Sequence, residues 1–143
     1  MSQLGARLNG LSSTVLSLFR IVFGLLYLMH GTSKLFGWPV GPTVPSGSQF
    51  WWAGILELVL GSLLVLGLFT RAAAFIAAGE MAVAFFTQHF PNGFWPIENK
   101  GELAVLFCWG FFLLVFAGSG WLAVDSILGR RNKTVTAAPV ERV

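Results

Sequence analysis

A chain of 143 residues has room for one domain. With 55% hydrophobic residues, 10% charged residues and a mean hydropathy of +0.75, it falls well below the roughly 25% charge of soluble domains. That excludes a soluble all-α fold, which would expose large apolar patches. The formal charge of +3 does not make a nucleic-acid surface, because most basic residues stand at the ends of apolar segments, where membrane orientation signals belong.

The polar stretch Met1 to Ser13 reads as a short, flexible tail. About 20 mainly apolar residues cross a bilayer core, and Thr14 to Phe36 meets that length. This stretch is too long for a cleavable signal peptide, carries Arg20 and lacks a small-residue cleavage site behind it. The Gly- and Pro-rich run from Gly37 to Gly47 breaks the helix. A second span runs from Phe50 to Phe69 and a third from Ala72 to His89, joined by Thr70 and Arg71 as a tight helical hairpin. Phe90 to Lys100, with Pro91, Asn92-Gly93 and Pro96, leads to a fourth span from Gly101 to Trp121. The expected fold is an all-α membrane protein, a four-transmembrane-helix antiparallel bundle. Its expected divisions are a cytoplasmic tail 1–13, a transmembrane domain 14–128 and a basic cytoplasmic tail 129–143.

Placing both termini inside gives the cytoplasmic face Arg7, Arg71, Arg130, Arg131, Lys133 and Arg142, and leaves the outer face only Lys34 and Lys100. The positive-inside rule favours that orientation. Trp38, Trp51, Trp52 and Trp95 then fall at the outer boundary. The basic tail suits anionic headgroups rather than nucleic acid.

Ionisable residues inside a span mark a candidate functional site, because each costs roughly 2.5–3.5 kcal/mol near the bilayer centre. On the first span Arg20, Gly24, Tyr27, Gly31 and Lys34 return to within about 40° of one line at 100° per residue. This stripe is expected to face the bundle, its glycines allowing close backbone approach. His30 lies about 80° to one side. Glu57 comes about 10 Å in from the outer start of its span, Glu80 near mid-depth, and Glu102 in the first turn of the fourth span. His30, Lys34, Glu57 and Glu102, with Tyr27, are the expected ligand-binding group. Arg20 and Glu80 are expected in intramembrane charge pairing, Lys34 or Arg20 approaching Glu57 or Glu80 across helices. Each residue also has a structural reading: Lys34 and Arg20 as snorkelling cations, Glu102 as a helix-start acid, Glu57 and Glu80 as interhelical locks. His30 and His89 lack the paired spacing of a metal site, and none is expected. Cys108 is a single thiol in an apolar run, so the chain has no dithiol chemistry of its own.

The order of these residues carries a resemblance. Arg20, Gly24, His30-Gly31, Lys34-Leu35-Phe36-Gly37, Glu57, Gly61 and Gly67-Leu68-Phe69-Thr70-Arg71 come first. Glu80-Met81-Ala82-Val83-Ala84, Phe94-Trp95-Pro96, Asn99, Gly101-Glu102-Leu103-Ala104, Gly118-Ser119-Gly120 and Asp125 follow. Over residues 14–128 this pattern resembles the DoxX family of small bacterial membrane proteins. Ser119 and Ala123 stand where that family often has Pro and Ser, which touches only the turn at the end of the last span.

The resemblance implies a four-helix inner-membrane bundle and a membrane redox context. Some relatives are subunits of a thiosulfate:quinone oxidoreductase, and others associate with enzymes of thiol and superoxide detoxification. The expected function is a membrane subunit of a redox or oxidative-stress system, with a polar outer-half pocket for a small or quinone-like molecule. Any redox activity would need a partner protein, because the chain has no haem, iron–sulfur or flavin motif. Two alternatives stay open, a non-enzymatic scaffold or assembly factor and a small transporter. The second is disfavoured because four short helices leave little room for alternating access without homo-oligomers.

Overall fold

The computed structural model describes residues 2–129, and among them every regular element is helical. Arg130, Arg131, Lys133 and Arg142 of the expected basic tail lie outside the described residues.

Helix α1 runs from Gln3 to Phe36. It starts well before Thr14, so the segment expected as a flexible tail is a continuation of the helix. Ser2 caps it, its hydroxyl accepting from the Gly5 amide at 3.2 Å, and nothing between Gln3 and Ser13 breaks a helix. Gly37 ends α1 in the left-handed region at φ 70°, donating its N–H to the Ser33 carbonyl at 2.9 Å.

Helix α2, Gln49–Leu66, opens on Ser48, which accepts from the Trp51 amide at 3.2 Å. It stops at Gly67, φ 69°, where Leu68 N–H reaches back to the Leu63 carbonyl. Helix α3, Thr70–Ala84, begins directly after Phe69. The hairpin link is therefore Gly67 to Phe69, not Thr70 and Arg71 as the hydropathy pattern suggests. Asp125 moves this boundary: its carboxylate accepts the Phe69 and Thr70 amides at 2.9 and 2.8 Å and so caps α3 from a distant part of the chain.

The helical path of α3 continues through a π turn, Phe85–His89, and a short 3₁₀ turn, Phe90–Asn92. After the single turn α4, Pro96–Asn99, helix α5 covers Glu102–Ala117. This last apolar helix is thus shorter than the fourth span expected from the sequence. Gly118 and Gly120 at φ 84° and 75° turn the chain out of helix, and a Cβ on Gly120 would fall 2.2 Å from the Ser17 hydroxyl oxygen. Helix resumes over 124–129.

Gln3–Phe36, Gln49–Leu66 and Thr70–Asn92 are long and apolar enough to cross a membrane, and α5 is a shorter apolar helix of 16 residues. α1 packs chiefly on α2, and α3 on α5. The core gathers Tyr27, Leu60 and Leu64 with the alanine face of α3 and Phe107, Phe111 and Leu114 of α5. The predicted stripe on α1 faces inward: Arg20, Gly24, Tyr27 and Gly31 are all buried, with Ser17.

Candidate functional site

The α1–α2 contact is a seam of glycines. A Cβ on Gly31 would sit 2.7 Å from the Leu58 nitrogen, and one on Gly61 would sit 2.9 Å from the Leu28 backbone. This approach carries Lys34 onto Glu57, whose Oε1 accepts from Lys34 Nζ at 2.6 Å. Glu57 is 2% exposed, whereas Lys34 keeps 26% of its side chain open. The other oxygen, Glu57 Oε2, is buried without a partner. Lys34 carries three donors and spends one on this bond, so it brings both charge and free N–H groups to the same place.

About two turns further along α1 from Lys34, the Tyr27 hydroxyl donates to Glu80 Oε2, tying α1 to α3. Glu80 Oε1 is buried and unpartnered. Glu57 and Glu80 share a small cavity of about 90 Å³ with Lys34, space for a few water molecules. A larger cavity of about 410 Å³ also touches the Lys34–Glu57 pair. Its polar wall is His30, Lys34, Glu57, Gln88, His89 and Lys100, and its apolar wall includes Phe50, Met81, Leu103 and Phe107. His30 stands at the edge of this space with its ring perpendicular to Phe107, centroids 5.8 Å apart. The site therefore presents a charged, donor-rich end and an apolar body.

Of the expected ligand group, His30, Lys34 and Glu57 meet on this wall. Tyr27 does not: it is fully buried and serves Glu80 from behind. Glu102 does not either. Leu103, Ala104 and Phe107 form the face of α5 that lines the cavity, and Glu102, one residue before that face, stays exposed in the first turn, where the macrodipole favours an acid.

Arg20 and Glu80 form no ion pair; among the described residues the one pair is Lys34–Glu57. Arg20 is fully buried and gives its guanidinium to backbone carbonyls instead. Nε donates to Ser119 at 2.9 Å, Nη1 to Leu64 and to Val65 (2.7 Å), and Nη2 to Leu122. The last carbonyls of a helix have no partner within it, and lipid offers none, so a five-donor side chain at the end of α2 answers several at once. Arg71 does the same for α5, donating to Val115 and Phe116 at 2.5 and 2.9 Å.

Sequence reasoning passed over Gln88, and it weighed His89 as a metal ligand. Both are brought to the cavity by the π turn, whose extra residue re-aims the side chains that follow. His89 Nδ1 lies 3.2 Å from the Asn99 carbonyl. Asn99 is buried and holds the loop, donating to Gly93 and accepting from Gly101, both at 2.8 Å. The irregular run around Pro91 and Pro96 was the available signal. No cluster of three or more metal-ligating side chains occurs among the described residues.

The DoxX family profile matches residues 15–90, from the first turns of the α1 stripe to the end of the π turn. The chain belongs to the DoxX family. An uncharacterized protein of Haemophilus influenzae is 42% identical to this DoxX protein over 118 residues, covering 78% of this chain and 88% of the relative. An uncharacterized membrane protein of Mycobacterium tuberculosis is 28% identical over 131 residues, covering 78% of this chain and 80% of the relative. No solved structure matches it. The profile takes in His30, Lys34, Glu57, Glu80 and His89 but ends before the α5 wall of the cavity.

Proposed function

We propose that this DoxX protein is an inner-membrane subunit of a bacterial redox or oxidative-stress system, and that its larger cavity receives a small lipophilic redox molecule such as a quinone. In this reading α1, α2, the α3 path and α5 cross the membrane as a four-helix antiparallel bundle. Both termini are cytoplasmic and the cavity lies in the outer half. The domain limits are 14–128 for the bundle, with short segments on either side. Electrons come from a partner protein.

The observation that carries the reading is Glu57: a carboxylate 2% exposed, paired with Lys34 on one oxygen and unpartnered on the other, on the wall of a 410 Å³ cavity. Ligand cavities of this size, largely apolar with a few convergent polar groups, suit a drug-sized molecule. Lys34 supplies positive charge, His30 a proton, and Glu57 orients both.

A second reading has its own support. Lys34–Glu57 ties α1 to α2 and Tyr27–Glu80 ties α1 to α3, which is what a scaffold or assembly factor needs of a charged interior.

Glu57→Gln separates the two. Protein in nanodiscs is titrated with a short-chain ubiquinone and a short-chain naphthoquinone, and melting is followed. The ligand reading expects quinone to raise the melting temperature of the native protein. It expects Glu57→Gln to abolish that rise while the ligand-free variant melts within a few degrees of native. If quinone shifts nothing, or if Glu57→Gln melts far earlier and cellular abundance falls with it, the scaffold reading stands.

A further inference from the structure

At the opposite end of the bundle, where α2 turns into α3 and α5 ends, an open pocket of about 590 Å³ lies between Thr70, Arg71, Gly118, Ser119 and Asp125. Three side chains there keep hydrogen-bonding or charge capacity that the helix-end contacts do not use up. The Thr70 hydroxyl is buried and makes no hydrogen bond, although Thr70 is only 1% exposed and lines the pocket. Arg71 uses Nη1 on the end of α5 but leaves Nε and Nη2 without a partner among the described residues. Nη2 reaches the pocket floor because Gly118 has no side chain; a Cβ there would stand 3.1 Å from it. Asp125 holds two amides of the α3 start yet has no cation within ion-pair distance among the described residues.

We infer that this pocket binds the headgroup of a glycerophospholipid carrying a primary ammonium, its phosphate on Arg71 and Thr70 and its ammonium on Asp125. The two side-chain charges are opposite and separately anchored, which matches a zwitterion. A purely anionic headgroup would set a like charge beside Asp125, whose carboxylate takes two amides and feels the Arg20 guanidinium. A quaternary ammonium carries no N–H for the carboxylate to accept. Phosphate recognition by a guanidinium fork with a hydroxyl beside it follows ordinary charge-assisted hydrogen bonding.

The surroundings favour a lipid over a free phosphate compound. Phe69, Phe116 and Trp121 around this end are 67, 69 and 49% exposed, giving apolar surface where glycerol and acyl chains would run. Phe69 also holds the left-handed conformation at φ 50°. That backbone is unusual for a bulky residue and tends to persist where a site over-determines it.

The test uses the full chain in mild detergent, exposed to equimolar phosphatidylethanolamine, phosphatidylcholine and phosphatidylglycerol and read by native mass spectrometry. Phosphatidylethanolamine is expected to be retained about ten-fold over either competitor, as one or two hydrogen bonds to charged groups would give. Thr70→Val keeps the shape of the side chain and removes only the idle hydroxyl. It is expected to melt like the native protein without lipid and to lose about five-fold in phosphatidylethanolamine retention, one hydrogen bond's worth. Arg71→Gln, which also touches the end of α5, is judged by the lipid preference of whatever folded protein it yields, and that preference is expected to vanish. Equal retention of the three lipids, or unchanged retention in Thr70→Val, overturns the assignment. So does binding of soluble O-phosphoethanolamine as tight as that of the lipid, which would mean that no lipid is read.

Discussion

Arg20 shows how a charge is kept buried without a direct ion pair. Its four carbonyl acceptors come from the end of α2 and from the segment after α5, so one side chain joins the two. Lysine at this position would keep the charge and lose the fork, leaving some of those carbonyls with no donor. Each buried polar group left unpaired costs about 1–3 kcal/mol. Arg20→Lys is therefore expected to lower the detergent melting temperature clearly, while leaving the distant Lys34–Glu57 pair and any quinone shift in place. An Arg20→Lys protein that melts like the native one would show that the carbonyl contacts carry little. The burial of Arg20 was legible from its place on the stripe with Gly24, Tyr27 and Gly31, because helical periodicity alone puts them on one face. Its partners were not legible. A backbone carbonyl has no letter in the sequence, so a search for answering charges turned to the glutamates. The same blindness hid the capping role of Asp125, whose partners are amides 55 and 56 residues away.

At the scale of elements the glycine seam decides how α1 meets α2. Gly31 and Gly61 face backbone at distances no real Cβ shows, whereas Gly79 on α3 has nothing within 4 Å of where its Cβ would lie. Gly31→Ala must push the two helices apart, with an overpacking penalty of about 1–3 kcal/mol. It must also lengthen the 2.6 Å Lys34–Glu57 contact built on the same approach. Gly79→Ala meets no neighbour and gains up to about 1 kcal/mol of helix propensity. Melting of the two variants side by side is expected to move in opposite directions. If both fall equally, the seam is not what holds α1 to α2. Hydropathy located these elements well because lipid demands long apolar runs. It misplaced their ends, since Asp125 advances the start of α3 and two left-handed glycines cut α5 at Ala117. It could not reveal the π turn, a register change with no composition of its own, although that turn brings Gln88 and His89 to the cavity.

For the whole molecule, the two ends of the bundle divide the chemistry. Arg20, Arg71 and Asp125 tie helix ends at one, and Lys34, Glu57, His30 and His89 line the cavity at the other. The orientation proposed from the Lys/Arg distribution puts Arg71 with the α2–α3 link inside, and puts the 37–49 and 90–100 segments outside. Ser46 and Asn92 are exposed positions on those two segments. Cys108 is the only cysteine, so a Cys108→Ser background gives a clean start for labelling. In that background Ser46→Cys and Asn92→Cys are expected to react with a membrane-impermeant maleimide in cells whose periplasm is accessible. A cysteine at Phe69, on the opposite link and 67% exposed in the wild-type side chain, is expected to react only after lysis. Labelling of Phe69→Cys in intact cells with protection of the other two would invert the protein. The cavity would then face the cytoplasm, and its electron donor would have to be sought among soluble cytoplasmic reductants rather than at the outer surface.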